Sequence, residues 1–375
     1  MPVKILHCHS TFDLGGKEAR AVALMNAFGD AARHTVLSGV AGAFSARKAI
    51  APGIKVEFPD SAPSLTGRPS IARYRAIAEY LRNFDLILTY NWGAMDAVMA
   101  RRMFAKSLPP LVHHEDGFNA DESARLKTER TLLRRLALPA AHKVVVPSRV
   151  LEGIAHTVWK QPETRVTRIS NGIDTSLFTK KPRPTAIPGL KRKPGETVIG
   201  TVAGLRPVKN LPRLVRAALS IPRTRLVIVG DGPEREAIRA AASAMGAADR
   251  LVLPGFLPDA HRYIGLFDIF ALSSDSEQFP ISLIEAMAAG VPVAATRVGD
   301  ISAMLPAEQQ PFVTVCDDYA LAGALRQLVA DAAFRQRLGA ANRALAASDY
   351  DQSAMVTAYR RLYSEALGGQ GAYFI

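Results

Sequence analysis

The stretch Ile269-Phe270-Ala271-Leu272-Ser273-Ser274-Asp275-Ser276-Glu277-Gln278-Phe279-Pro280-Ile281-Ser282-Leu283-Ile284-Glu285-Ala286-Met287-Ala288-Ala289-Gly290-Val291-Pro292-Val293 decides the fold. Residues 269–273 are a short apolar run of strand type, and a polar loop follows. Apolar residues then recur at helical spacing over 281–289, Gly290 supplies a stop, and 291–296 is a second strand-type run. A strand, a helix and a strand in that order make a parallel pair joined by a crossover. Pro280 suits a helix start and Gly290 the position past its end.

The same alternation runs outward in both directions. Strand-type runs fall at 3–8, 34–38, 54–58, 85–90, 111–114, 143–146 and 166–169, with helical patterns at 17–28, 70–83, 95–106, 121–138 and 149–158. A second series places strands at 198–203, 225–230, 250–253, 269–273, 291–296 and 312–315. Its helices read at 211–220, 234–245, 281–289, 318–330 and 334–346. Apolar strands each followed by a helix imply parallel sheets covered on both faces. The expected fold class is α/β, with two Rossmann-like, doubly wound parallel-sheet domains. Residues 179–196, rich in Pro and Lys, read as the linker region. A first domain is therefore expected over 1–178, a second over 179–349, and a C-terminal helix over 350–375 that crosses back to the first. Ligands of such sheets bind beyond the carboxyl ends of the strands. The chemistry is expected there, in a cleft where the two edges face each other.

A chain of 375 residues suits two or three domains. With 48% hydrophobic and 22% charged residues it is of ordinary globular composition, which excludes disordered, collagenous and coiled-coil architectures. Cys8 and Cys316 lie far apart without zinc-type spacing, so neither a disulfide framework nor a zinc site is expected, and a reducing compartment is. The N-terminus runs straight into a strand pattern, and no run of about 18 apolar residues occurs. The expected location is cytoplasmic. Net charge is +13, from 24 basic against 16 acidic residues in 1–175 and 23 against 18 in 176–375. Such an excess suits phosphate-bearing substrates, an anionic membrane surface or nucleic acid. Arg73, Tyr74 and Arg75 mark a basic helix with either a solvated or a lipid-facing side.

Candidate residues cluster on the loops. Behind Phe279 and Pro280, the N–H groups of Ile281, Ser282 and Leu283 would be unpaired at a helix N-terminus, a phosphate site. Glu277 before that helix and Glu285 inside it suit sugar or ribose hydroxyls, because carboxylates accept paired hydrogen bonds. Solvation or neutralisation of the helix dipole fits the same spacing. Gly15 and Gly16, between the first strand and helix, permit close backbone approach. Arg206 and Lys209 follow the first strand of the second series and suit a diphosphate. His113 and His114 end one strand and point to opposite faces, and no nearby residues complete a metal set. Asp116 is an alternative polar group at that strand end. Asn91 would bind hydroxyls, and Trp92 would pack on a sugar ring or serve as core at a helix start.

The 273–293 stretch resembles the Glu–seven residues–Glu signature of retaining glycosyltransferases of family 4, with Gln278 where that family usually has Gly. Ser170-Asn171-Gly172-Ile173-Asp174 resembles the segment entering its second domain, Val227 to Pro233 its Val-Gly-Asp-Gly-Pro turn, and Asp13-Leu14-Gly15-Gly16 its N-terminal glycine loop. The resemblance implies the GT-B architecture and retaining transfer of a hexose from a nucleotide sugar to a hydroxyl. It assigns Glu285 to the ribose, Lys209 and Arg206 to the diphosphate, Glu277 to the donor sugar, and Gly230, Gly232 and Gly255 to the surroundings of the base. Gly15 and Gly16 would lie against the donor's phosphates or sugar. Gly204 stands where the family usually has its Arg, and Arg206 follows two residues later. On the acceptor side it implies His114, with His113 as the alternative, beside Asn91, Trp92 and Asp116. No metal and no cofactor are implied, and the departing phosphate takes the acceptor proton. The partners expected are a nucleotide sugar, a lipid-linked saccharide of exopolysaccharide or lipopolysaccharide assembly, and an anionic membrane surface. Two alternatives stay open, a GT-B-fold nucleotide-sugar epimerase and a non-catalytic binder of nucleotides or nucleic acid. No basic patch interleaved with aromatics favours a nucleic-acid partner.

Overall fold

The computed structural model describes residues 1–118, 122 and 125–369. The chain forms two compact units, Met1–Asn171 with Ser353–Ile375, and Gly172–Gln352. The first unit carries strands β1 (Val3–His9), β2 (Ala32–Ser38), β3 (Val56–Glu57), β4 (Leu86–Tyr90), β5 (Leu111–His114), β6 (Lys143–Val146) and β7 (Val166–Arg168). Between them run α1 (Gly16–Phe28), α2 (Ile71–Leu81), α3 (Met95–Met103), α4 (Thr128–Ala137) and α5 (Arg149–Thr157). All seven strands are parallel in the order β3-β2-β1-β4-β5-β6-β7. The order reverses at β1, which pairs with β2 on one side and β4 on the other. A doubly wound sheet opens a crevice at such a reversal.

Alternation along the strands feeds two cores. Ile5, Leu86, Leu88, Val112 and Val145 pack on one face, and Leu6, Cys8, Ile87, Leu111 and Val144 on the other. The helix at the chain's end belongs to the first face. Met355, Tyr359 and Tyr363 recur every fourth residue, so one stripe of it is apolar and buries there.

The second unit holds β8 (Thr197–Val202), β9 (Thr224–Val229), β10 (Leu251–Gly255), β11 (Ile269–Leu272), β12 (Val293–Thr296) and β13 (Val313–Thr314), parallel in the order β10-β9-β8-β11-β12-β13. Its helices are α6 (Leu211–Leu219), α7 (Arg235–Ala244), α8 (Ile281–Ala288), α9 (Ile301–Met304), α10 (Asp318–Ala330) and α11 (Ala332–Asp349), and α12 (Gln352–Ala366) follows. Here the order reverses at β8, between β9 and β11. The loops after β8 and β11 therefore emerge side by side, and they carry Lys209 and Glu277.

Several expectations are refined. Residues 180–196 contain no helix or strand, yet Ile187 is buried and Ala186 and Leu190 pack on the same core of the second unit. The stretch is thus a packed arm rather than a free linker, because its spaced apolar residues bury where its prolines forbid a ladder. The helix expected from 121 begins at Thr128, and part of 119–124 lies outside the described residues. Of the basic helix, Arg73 pairs with Asp96 at 2.6 Å and the Tyr74 hydroxyl donates to the same carboxylate, so only Arg75 points outward freely. Both cysteines are free thiols. Among the described residues no helix is long and apolar enough to cross a membrane.

Candidate active site

In the second unit the loops after β8 and β11 are locked together. Asp275 N–H donates to Val208 O at 2.9 Å, and Ser273 Oγ donates to Lys209 O at 3.0 Å. The Lys209 ammonium reaches Glu277 Oε1 at 2.6 Å, and Ser274 Oγ donates to the same oxygen at 2.7 Å. A lysine and a carboxylate 68 residues apart are thus one charged pair at the topological switch point. Arg206, at the start of the same turn, is exposed and has no ion-pair partner among the described residues.

The glycines have a backbone reason. Gly230 (φ 144°) packs against Ala203 O and Gly232 (φ 150°) against Leu205 O so closely that a Cβ at either would collide. Leu205 N–H in turn donates to Asp231 O at 2.9 Å, and Gly230 N–H to Gly255 O at 2.9 Å. These residues therefore form the floor under the Arg206–Lys209 turn.

Helix α8 starts after Pro280 without a side-chain cap. Leu283 N–H closes on Pro280 O at 3.2 Å, which corrects the expectation of three unpaired donors. Ile281 and Ser282 keep theirs directed out of the helix start. Phe279 packs edge-on against Tyr350, 5.7 Å between ring centres, and so anchors the loop to the core. The Glu285 carboxyl sits one turn in, where burial pushes its pKa up to about 7.

Gly299 (φ 55°), in the loop after β12, was not singled out by the sequence. A Cβ there would collide with Glu277 O and stand 3.1 Å from Gln278 O, while Asp300 N–H donates to Gln278 O at 3.2 Å. This loop closes over the peptide that carries Glu277 only because position 299 lacks a side chain. Gly299→Ala should therefore displace Glu277. A shift of about 1 Å in a reacting group costs on the order of 100-fold in rate, so kcat should fall at least tenfold, with the fold checked by circular dichroism. Unchanged kcat in a folded variant would refute the assignment.

In the first unit, Gly15 caps α1 and Gly16 opens it, with Lys17 ion-paired to Glu18 and donating to Thr11 O at 3.2 Å. His113 and His114 face opposite sides of the sheet. The Nδ1 of His113 lies 2.9 Å from Thr89 Oγ1, and its Nε2 3.6 Å from Glu115. His114 Nδ1 is 3.1 Å from Thr89 O and its Nε2 2.9 Å from the Tyr363 hydroxyl. A carbonyl can only accept, so Nδ1 carries the proton and Nε2 accepts from Tyr363. Both nitrogens are engaged, and the ring is 1% exposed under α12. This corrects the expectation that His114 meets an acceptor directly. Burial, Arg20 and His113 hold it neutral, with its pKa well below the usual histidine range.

The Trp92 ring has Arg130 and Arg134 guanidinium carbons 4.9 and 5.2 Å from its centre. Arg134 is fully buried against Glu115 and Glu122. The indole is thereby engaged in a cation–π cluster, which fits the structural alternative for Trp92 rather than sugar stacking. Asn91 directly follows β4 with φ 56°, donates its N–H to His114 O at 2.8 Å, and accepts from Asp116 N–H at 2.7 Å. Asn91 and Asp116 are thus brought together. Their third partner, Arg20, was missed. The available signal was an arginine four residues before Leu24, on the apolar stripe of α1.

Residues 14–177 match the family described as Glycosyltransferase Family 4, and residues 182–345 the family described as Glycosyl transferases group 1. Over 156 residues the chain is 31% identical to the lipopolysaccharide core biosynthesis glycosyltransferase LpsD of Rhizobium meliloti (strain 1021), covering 41% of this chain and 46% of that protein. It is 27% identical over 307 residues to the D-inositol 3-phosphate glycosyltransferase of Mycobacterium avium (strain 104), covering 75% and 70%. The chain spans about half the length of the first curated relatives it matches. Among solved structures, Anabaena HepE in complex with UDP and glucose superposes with a TM-score of 0.80 at 20% identity, covering 97% of this chain and 100% of that one. Sucrose-phosphate synthase from Thermosynechococcus elongatus superposes at 0.78 with 21% identity, covering 98% and 100%. The two parallel-sheet units are the GT-B fold of these structures.

Proposed function

The chain belongs to the Family 4 type of glycosyltransferase, with a group 1 domain in its second unit, and on that premise we propose retaining transfer of a hexose from a nucleotide sugar to a hydroxyl of a lipid-linked saccharide. The observation that carries this reading is the Lys209–Glu277 pair at the switch point of the second sheet. Lys209, exposed Arg206 and the N–H groups of Ile281 and Ser282 supply positive charge to a departing diphosphate without a metal. Glu285 accepts from the ribose hydroxyls, and Glu277, oriented by Lys209 and Ser274, accepts from the donor sugar. In the transfer the acceptor oxygen bonds to the anomeric carbon, the bond to the diphosphate breaks, and the departing phosphate oxygen takes the hydroxyl proton. The Anabaena relative was captured with UDP and with UDP-glucose, which supports a uridine nucleotide as the first donor to try. The lipopolysaccharide-core relatives support a membrane-borne acceptor, and the net charge of +13 supports attachment to an anionic surface.

A thermal-shift screen of UDP-, GDP- and ADP-linked hexoses tests the donor side. A ligand of the native state at 100 times its Kd stabilises by about 2.7 kcal/mol, so one nucleotide class should raise Tm by several degrees. No shift with any of them would overturn the reading.

The elevated Glu285 pKa adds a pH signature. Ribose hydroxyls bind the carboxylate form, which at a pKa of about 7 rises from roughly a tenth to nine-tenths between pH 6 and 8. Affinity for the nucleoside diphosphate should therefore strengthen by roughly tenfold over that span beyond the ligand's own titration. Glu285→Gln serves as the reference, since it keeps the ligand's titration and lacks the carboxyl. Parallel pH profiles for the two proteins would remove Glu285 from the ribose.

A further inference from the structure

At the carboxyl edge of the first unit's sheet, Asp116 is fixed from two directions. Its N–H donates to Asn91 Oδ1 at 2.7 Å, and both carboxylate oxygens accept from the Arg20 fork, Nη1 to Oδ1 and Nη2 to Oδ2, the latter at 2.8 Å. Arg20 is itself held. Its side chain is 2% exposed, Nη1 also donates to Asn171 Oδ1 at 3.0 Å, and its guanidinium carbon lies 5.7 Å from the centre of the Tyr359 ring. Burial alone would favour a neutral arginine, but Asp116 beside it holds the guanidinium charged, with its pKa above the ordinary range.

Two features mark this as more than packing. Asn91 adopts φ 56° and ψ −170°, a conformation that costs a non-glycine residue on the order of 1–3 kcal/mol and persists only where surroundings enforce it. A buried ion pair is also a poor source of net stability compared with apolar packing. Both costs are spent on a carboxylate that remains partly open, at 12% side-chain exposure. A carboxylate has about four acceptor positions, and the guanidinium fork takes two. The other two stay on the edge turned away from Arg20.

We infer that Arg20 is a positioning residue for sugar transfer, fixing the plane of the Asp116 carboxylate so that its free edge accepts from the acceptor hydroxyl. Asp116 takes the orienting role that His114, with both nitrogens engaged, does not fill. It accepts a hydrogen bond and takes no proton, which still leaves with the departing phosphate. The inference rests on the glycosyltransferase reading.

The test uses the full chain, labelled UDP-, GDP- and ADP-hexoses, and a lipid extract of the source cells as acceptor. Arg20→Lys keeps the charge and loses the fork; kcat should drop at least tenfold while nucleoside-diphosphate affinity stays within twofold. Asp116→Asn should drop kcat at least as far. The double variant should be no slower than the slower single one, since Arg20 acts through Asp116. Asn91→Gly relieves the positive φ yet removes the second hold on Asp116. It should stay folded and lose kcat as well, which keeps the inference testable if Arg20→Lys does not fold. Wild-type kcat in Arg20→Lys or in Asn91→Gly, or losses that multiply in the double variant, would overturn it. A wild-type protein that moves no sugar from any of these donors refutes the glycosyltransferase reading instead.

Discussion

Lys209→Ala should lower kcat by about 100- to 1000-fold, the range found when one preorganised donor to a developing anion is removed. Its ammonium sits 2.6 Å from Glu277, and the side chain is 16% exposed, so it is held rather than mobile. Loss of Lys209 removes charge from the leaving diphosphate and also frees the Glu277 carboxylate, which among the described residues keeps the Ser274 hydroxyl. Lys209→Arg should recover little, because a planar fork does not replace a point charge within the same turn. Steady-state kinetics, with nucleotide affinity measured separately, checks this. A Lys209→Ala enzyme within twofold of wild type would remove the pair from the chemistry.

The second large effect is acid destabilisation of the first unit. His7, His9, His34 and His114 lie buried on one face of its sheet. His7 Nε2 meets His34 Nδ1 at 3.0 Å, His9 stacks on Tyr90 at 4.0 Å and faces Lys17 and Arg20, and His114 faces Arg20 and Tyr363. Burial holds all four below the usual histidine range, His34 at about 4. The unfolded chain takes up protons near pH 6.5 that the folded chain refuses. Stability is therefore full above that pH and falls as pH drops toward 4. His34 alone contributes roughly 3 kcal/mol across that interval. Glu285, whose pKa is raised, has the opposite slope but belongs to the second unit. Both tryptophans, Trp92 and Trp159, are in the first unit, so their fluorescence in urea melts reads it alone. The midpoint should fall steeply between pH 7 and pH 5. A flat midpoint would mean these histidines are protonated in the fold.

Periodicity made the architecture legible. The 269–296 run resolves into β11, α8 and β12 because an apolar strand, a helical stripe and a glycine stop are all local signals. The types of residue at the site were legible for the same reason, since polar groups directly after strands stand out. Partnerships were not. That Lys209 meets Glu277 follows from the reversal of strand order at β8, a property of the whole sheet. That His114 is capped by Tyr363 depends on α12 returning to the first unit. Trp92 read equally as a sugar-stacking or a structural ring until α4 set two arginines against it. Arg20 was hidden because an arginine in an apolar stripe reads as a solvated charge until its carboxylate is in view. Gly299 lies in a loop whose meaning depends on a contact 22 residues away with Glu277.

The most direct test follows the sugar itself. The protein is incubated with a nucleotide hexose labelled in the sugar and a lipid extract of the source cells, and products are analysed by mass spectrometry and by NMR of the anomeric centre. The label should appear in a glycosidic bond on the lipid with the donor's anomeric configuration kept, together with an equal amount of nucleoside diphosphate. Label recovered as an isomerised nucleotide sugar or free sugar, with no new glycosidic bond, would contradict the transferase assignment.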